Sequence, residues 1–454
     1  MPETLAALAD GVSAAIIWAA DHIFGPYALM PLLFGVGLFL TVRLRFVQVA
    51  RFKDAASTLV PAAQAGARGP LSPFQAFMTA LGASIGTGNI AGVATAIVTG
   101  GPGALFWIWV YGFFATAIKF TEAVLGIRYR RLVGDRLSAG PMHYLRDGVG
   151  SPALAWTYAA IAAVAALTTT PMSQPNSIAV AWKTVLGVPQ WATGVGLAVL
   201  TWLVVIGGVT SIGRAAEKLA PAKVFLYLAG GLVVIVTHLG HLPAVLSLVV
   251  REALSIGAVT GGTAGYGVMV AMRYGLARGI YANEAGYGTA AVAYGTARSD
   301  RPAQQGLNAV MEVFIVSFVT STISGLTILV SGAWRSGSTS SAVVAEAFNS
   351  AMPVVGGWIL AFCVLLFGYT TLTGWAYYGE QFLEYVCGTR FTIAYRWIYC
   401  GLIVLGATSK VETVWAWGDL MNGLQVVPNL IGLVVLSGVA WAILRDSRAQ
   451  PPAA

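Results

Sequence analysis

The stretch Ala83-Ser84-Ile85-Gly86-Thr87-Gly88-Asn89-Ile90-Ala91-Gly92 breaks an apolar run near the start of the second hydrophobic segment. A helix that only crosses a bilayer has no reason to carry two glycines, a threonine and an asparagine at mid-depth. Glycine lets the backbone leave the helix, and each amide or carbonyl so freed must find a partner or line a cavity. Freed amides attract a carboxylate and freed carbonyls coordinate a cation, which is how many secondary transporters hold substrate and coupling ion. The stretch points to a transporter and to its binding site.

The whole chain agrees with an all-α polytopic membrane protein. Its 454 residues are 57% hydrophobic and only 10% charged, with a mean hydropathy of +0.75. Soluble domains carry about 25% charged residues. Apolar segments long enough to span about 30 Å of hydrocarbon recur throughout. The pattern predicts eleven spans: 27–43, 72–99, 103–128, 152–182 with a break, 191–211, 219–238, 256–280 with a break, 305–332, 355–384, 392–409 and 427–445. Residues 4–23 carry Asp10 and Asp21 and read as an interfacial helix. No Lys or Arg precedes their apolar part, which argues against a cleaved signal peptide.

The net charge of +8 is distributed for a membrane, not for nucleic acid. With the N-terminus outside, one set of loops and span ends holds most of the Lys and Arg, including Arg43, Arg130, Arg136, Lys223, Arg278 and Arg448. The other set holds only Lys183, Arg251, Arg335 and Lys410. This bias predicts an outside N-terminus and a cytoplasmic C-terminus in the plasma membrane. Three cysteines make no disulfide framework. No P-loop and no zinc-ligand spacing occurs, and Gly86-Thr87-Gly88 with Gly92 misses the GxGxxG spacing by one residue.

A second Gly-rich interruption, Thr260 to Gly267, falls in the seventh span. Interrupted helices at matching places in two inverted halves point to a transporter site, although Gly and Ala also serve close helix packing. Gln174 and Asn176 are costly in lipid unless they face protein or water; hydrogen bonds between helices meet that need as well as a ligand does. Lys119 and Glu122 lie three apart, in position to pair with each other. Glu312 is the candidate buried carboxylate, for structure or for proton coupling. Arg278, Asn283, Glu284 and Asp300 read as a gate or loop brace on the inner side.

Several segments together resemble the alanine/glycine:cation symporter family, the bacterial sodium:alanine symporters. They are Gly86 to Ala94, Gly100-Gly101-Pro102-Gly103-Ala104 with Phe106-Trp107, Gly140-Pro141-Met142, and Gln174 with Asn176 to Ala179. Arg278-Gly279 with Asn283-Glu284-Ala285-Gly286 follow, then Glu312-Val313-Phe314, Tyr369-Thr370-Thr371 with Gly374-Trp375, Tyr377 to Glu380, Asn422-Gly423-Leu424 and Pro428-Asn429-Leu430. They run in family order over about residues 27–445.

The resemblance implies the five-plus-five inverted-repeat fold of the bacterial leucine transporter, preceded by one extra span. Residues 1–71 would hold the interfacial helix and that span, 72–240 and 256–445 the two repeats, and 446–454 a cytoplasmic tail. It also implies sodium-driven uptake of alanine or glycine. Thr87, Gly88, Gln174, Thr263, Gly265 and Trp375 would surround the substrate. Carbonyls at Gly82 and Ile85, with Thr370, Thr371 and Asn89, would hold Na+. Thr263 stands where members usually carry an aromatic residue, and Pro175 separates Gln174 from Asn176; both bear on which substrate fits. The expected partners are a small neutral amino acid and membrane lipid, with no nucleic acid. Proton coupling through Glu312 is the alternative within the same fold; a channel or a membrane enzyme has less in the residues to support it.

Overall fold

The computed structural model describes residues 11–19, 22, 29–57, 59, 66–134, 136–254 and 263–447. Residues 11–19 are helical, inside the stretch expected at the interface. After α1 (Leu29–Arg43) the chain enters its first broken segment through a capping box. The Ser72 hydroxyl accepts from the Gln75 amide, the Gln75 side chain accepts from the Ser72 amide, and Pro73 takes the first helical position. α2 (Pro73–Ser84) ends there, a 3-10 turn covers Thr87–Asn89, and α3 (Ala91–Gly100) resumes at a bend of 58°.

α4 (Ala104–Arg128) leads to a short antiparallel hairpin of β1 (Arg131–Val133) and β2 (Arg136–Ser138), with Leu132 opposite Leu137. α5 (Pro141–Asp147), α6 (Pro152–Thr168), α7 (Thr170–Leu186), α8 (Gln190–Val205), α9 (Gly208–Thr237) and α10 (Leu242–Leu254) follow. The second broken segment is α11 (Thr263–Asn283) and α12 (Thr289–Gly295). α13 (Pro302–Val313) continues through a π-turn, Phe314–Thr320, into α14 (Ser321–Val330). The chain closes with α15 (Ser341–Ala351), α16 (Val355–Cys387), α17 (Thr392–Thr408), α18 (Val411–Val435) and α19 (Ser437–Asp446).

The protein is a multi-pass membrane protein. Eight of the described segments are long and apolar enough to cross a bilayer, counting the bent pair as one, and α1 and α8 are shorter apolar helices. Large apolar side chains face outward along α8 and α9, among them Leu200, Leu203, Phe225 and Val236. Lys119, Glu122, Lys223 and Glu312 are buried instead. That inversion of a soluble protein's pattern is what a lipid-facing exterior requires.

The broken segments run antiparallel. The Leu71 amide, just ahead of α2, donates to the Thr296 carbonyl just beyond α12, and the Arg298 amide donates back to Leu71. Arg130 clamps the same place, donating to the carbonyls of Gly295, Ala297 and Ser299.

Three expectations are corrected. Residues 263–267 are already helical, and the second break comes at Glu284–Gly288 (260–262 lie outside the described residues). The last span starts at Val411, not 427; Glu412, Asp419, Asn422 and Gln425 hid its first half from hydropathy. Lys223 is not at an inner span end but mid-way along α9, fully buried.

Lys119 pairs with Glu312 at 2.8 Å, not with Glu122. Its ammonium also donates to the Asn283 carbonyl at 2.5 Å and to Ser84 Oγ at 2.9 Å, so one buried cation ties α4 and α13 to both breaks. Removing one member of a buried pair strands the other charge, at a cost of about 3–5 kcal/mol, while removing both is often near neutral. We therefore expect Glu312→Leu to lower the thermal unfolding midpoint in detergent by several degrees, and Lys119→Met/Glu312→Leu to recover most of it. An undisturbed midpoint in the single variant would show that the pair carries no such burden.

Candidate functional site

The first break is closed by side chains that take up its freed peptide groups. The Thr87 amide and hydroxyl both donate to Gln174 Oε1, each at 3.0 Å. Asn89 Nδ2 reaches back across the turn to the Ser84 carbonyl at 3.0 Å. Gly88 must be glycine for space, because a Cβ there would lie 2.7 Å from Tyr281 Cδ1.

At the second break Glu284 adopts the left-handed conformation, φ +56°, and Gly286 and Gly288 follow at +96° and +84°. Left-handed backbone suits glycine and strains a side-chain-bearing residue. Glu122 offsets that cost by accepting from the Gly286 and Gly288 amides at 3.0 Å and from Asn429 Nδ2 at 2.8 Å. The turn points the Glu284 carboxylate inward. One oxygen accepts from Trp375 Nε1 at 2.6 Å, the other from Thr289 Oγ1 at 2.9 Å.

The breaks face each other across a cavity lined by Gly86, Gly88, Gln174, Tyr281, Glu284 and Trp375, with Thr371 and Asn422 on its wall. Its volume is about 10 Å³. A single water needs roughly that much. An amino acid enters only if Gln174 or Tyr281 gives way. Tyr281 packs on Trp415, ring centres 4.9 Å apart, and Arg278 pairs with Asp419 at 3.0 Å beside them. Arg278 thus stands with Trp415 and Tyr281 beside the cavity, not with Asp300, which pairs with Arg130. A separate vestibule of about 530 Å³ opens beside the β1–β2 hairpin, where Arg396 pairs with Glu380 at 2.8 Å.

Of the substrate candidates, Gly88, Gln174 and Trp375 line this cavity, and Thr87 lies beside it through Gln174. Thr263 and Gly265 start α11, whose far end carries the break; the 21 residues of that helix cover about 30 Å, which sets these two apart from the cavity. Their side chains lie outside the described residues. Glu284, Tyr281, Tyr287 and Asn422 also line it. The Asn-Glu-Ala-Gly run carried a signal for Glu284: a polar pair followed by glycine inside a membrane segment.

The cation candidates also gather, around an unexpected group. Lys223 Nζ donates to the Gly82 carbonyl at 3.0 Å, to the Ile85 carbonyl at 2.5 Å and to Thr370 Oγ1. Thr371 Oγ1 is 2.8 Å from the Ala83 carbonyl and 3.3 Å from that of Gly82. Asn89 faces Ser84 rather than this cage.

Residues 10–453 match the family described as the sodium:alanine symporter family. The chain belongs to that family. It is 38% identical to the sodium/alanine symporter AgcS of Methanococcus maripaludis, over 92% of this chain and 93% of that one. It is 32% identical to the probable sodium/glutamine symporter GlnT of Bacillus subtilis, over 96% and 91%. The sodium/proton-dependent alanine carrier protein of Bacillus sp. is 30% identical, over 84% and 88%. A manganese transporter of Eremococcus coleocola shares the fold, with a TM-score of 0.53 at 14% identity over 82% of this chain and 85% of that one.

For a family member built this way, a methyl group at Gly88 meets the Tyr281 ring head-on. We expect Gly88→Ala to cut uptake by roughly tenfold or more, since overpacking a tight site costs about 1–3 kcal/mol, while the protein still elutes as a single species in detergent. Uptake at the wild-type rate would show that Tyr281 is not held against Gly88 during transport.

Proposed function

We propose that this chain is a secondary active symporter that takes up small neutral amino acids, alanine and glycine foremost, by alternating access. One observation carries the reading. A carbonyl oxygen, Gln174 Oε1, sits on the Thr87 amide and hydroxyl, and a carboxylate, Glu284, lines the same cavity. An α-amino acid would answer both: its carboxylate takes over the Thr87 donors as Gln174 withdraws, and its ammonium is held by Glu284. Once Gln174 or Tyr281 gives way, Tyr281 and Trp375 still bound the space, which suits a short side chain.

We read the architecture as the eleven-span, five-plus-five inverted repeat of the leucine transporter type. Residues 1–71 supply the interfacial helix and extra span, 72–240 and 256–445 the repeats, and 446–454 the tail. Antiparallel broken segments support this. Arg130 and Arg136, on the side where α2 starts and α12 ends, support a cytoplasmic location for that side and an outside N-terminus in the plasma membrane.

The coupling ion is a monovalent cation. The family name supports sodium, and a proton is the alternative; Lys223 already occupies the Gly82, Ile85 and Thr370 oxygens expected to hold sodium.

One added methylene in a tight pocket discriminates by about 1–3 kcal/mol. Labelled alanine entering proteoliposomes should therefore be displaced by glycine, with valine and leucine weaker by tens-fold. Glu284→Gln should raise the apparent KM by roughly ten- to a hundredfold, the worth of a charge-assisted hydrogen bond. Equal competition by leucine would reject the pocket, and uptake without exchange of preloaded substrate would favour a channel.

A further inference from the structure

The oxygens expected to hold sodium already hold a cation that belongs to the chain. The last carbonyls of a helix have no partner within it and carry its negative dipole end. At the end of α2 the Gly82 and Ile85 carbonyls meet the Lys223 ammonium, and Thr370 Oγ1 on α16 completes the set. An ammonium has three donors, and all three are used. Phe367, 5.2 Å from Nζ to ring centre, covers the remaining side. A sodium ion bound to these oxygens would occupy the ammonium's own position, so the two exclude each other.

We propose that Lys223 is a built-in cation: its ammonium takes the place of sodium at the end of α2, so that this site takes up no sodium with the substrate. This rests on the transport reading above and deepens it. The Lys223 ammonium ties α2 to α9 and α16. Ile85, in the cage, is two residues from Thr87, in the substrate site, so a cation that belongs to the chain holds the backbone beside that site without an ion from solution.

The elements packed on α9 bring few other charged groups near the cage. α2, α8 and α14, which pack on α9, carry no ionisable side chain. α16 turns Thr370 and Phe367 toward Lys223 and carries Cys363 one turn further back. On α15, Glu346 is exposed and bonded to Ser338. On α9 itself Tyr227 bonds Ser324, and Glu217 accepts from Gln75.

The test has two arms. In the first, the thermal unfolding midpoint of purified wild-type protein is compared in sodium and in potassium at equal ionic strength. We expect no difference for the wild type, because the cage is full. Stabilisation by sodium at a level that Lys223→Met does not share would overturn the proposal, whether or not transport is seen. In the second arm, exchange of labelled alanine or glycine into preloaded proteoliposomes is compared with and without sodium. Wild-type protein should exchange without sodium, and Lys223→Met and Lys223→Gln, each eluting as a single species, should lose that sodium-free exchange by roughly tenfold or more. Strict sodium dependence of wild-type exchange, or undiminished sodium-free exchange by either variant, would overturn the proposal. If no gradient and no exchange condition moves either amino acid, the transport reading itself fails, and the first arm still decides what fills the cage.

Discussion

Inside a bilayer a peptide group that leaves a helix has no water to bond, and this constraint shapes the centre of the molecule. Two helices unwind there, and side chains meet each set of freed groups. Gln174 takes the Thr87 amide, Asn89 the Ser84 carbonyl, Lys223 the carbonyls of Gly82 and Ile85, and Glu122 the amides of Gly286 and Gly288. Two of these substitutes resemble ligands. An amide oxygen sits where a carboxylate would bind, and an ammonium sits where a metal cation would. The breaks persist because they are satisfied from within.

The same economy appears in what holds the moving parts. Lys119 reaches both breaks at once, so they are linked before any substrate arrives. Around Gly82 the facing residues of α9 are Ala216 and Ala220, each about 3.8 Å from where a Cβ would stand. Arg278–Asp419 and Arg396–Glu380 are largely buried ion pairs, whereas Arg136 is exposed in its pair with Glu384. Exposed ion pairs are worth about 1 kcal/mol or less, so the Arg136–Glu384 contact is the easiest of the three to break.

Much of this was legible in the sequence. The Gly86-Thr87-Gly88-Asn89 break announced itself because polar and flexible residues are costly in an apolar segment, while Gln174 and Trp375 joined it only through the family resemblance. Glu284 was read as a gate, since nothing local reveals that a left-handed turn aims its carboxylate inward. The second break was misplaced toward Gly261-Gly262 because glycine density was weighed above the Asn283-Glu284 pair. Lys223 was hidden most deeply. A lysine near a span end ordinarily snorkels to the interface, and only the packing of α9 against α2 and α16 shows that it does not. The first half of α18 was missed because its polar residues face protein, as Asp419 does toward Arg278 and Asn422 toward the cavity.

The central claim is that the space between the two breaks is the substrate site, held closed by Gln174 and Tyr281. An experimental structure of the protein with alanine bound tests it directly. We expect the alanine carboxylate within hydrogen-bond distance of the Thr87 amide, Gln174 Oε1 withdrawn from that amide, and the alanine ammonium against Glu284. Alanine found instead in the vestibule beside Arg136 and Arg396, with the Thr87–Gln174 bonds intact, would contradict it.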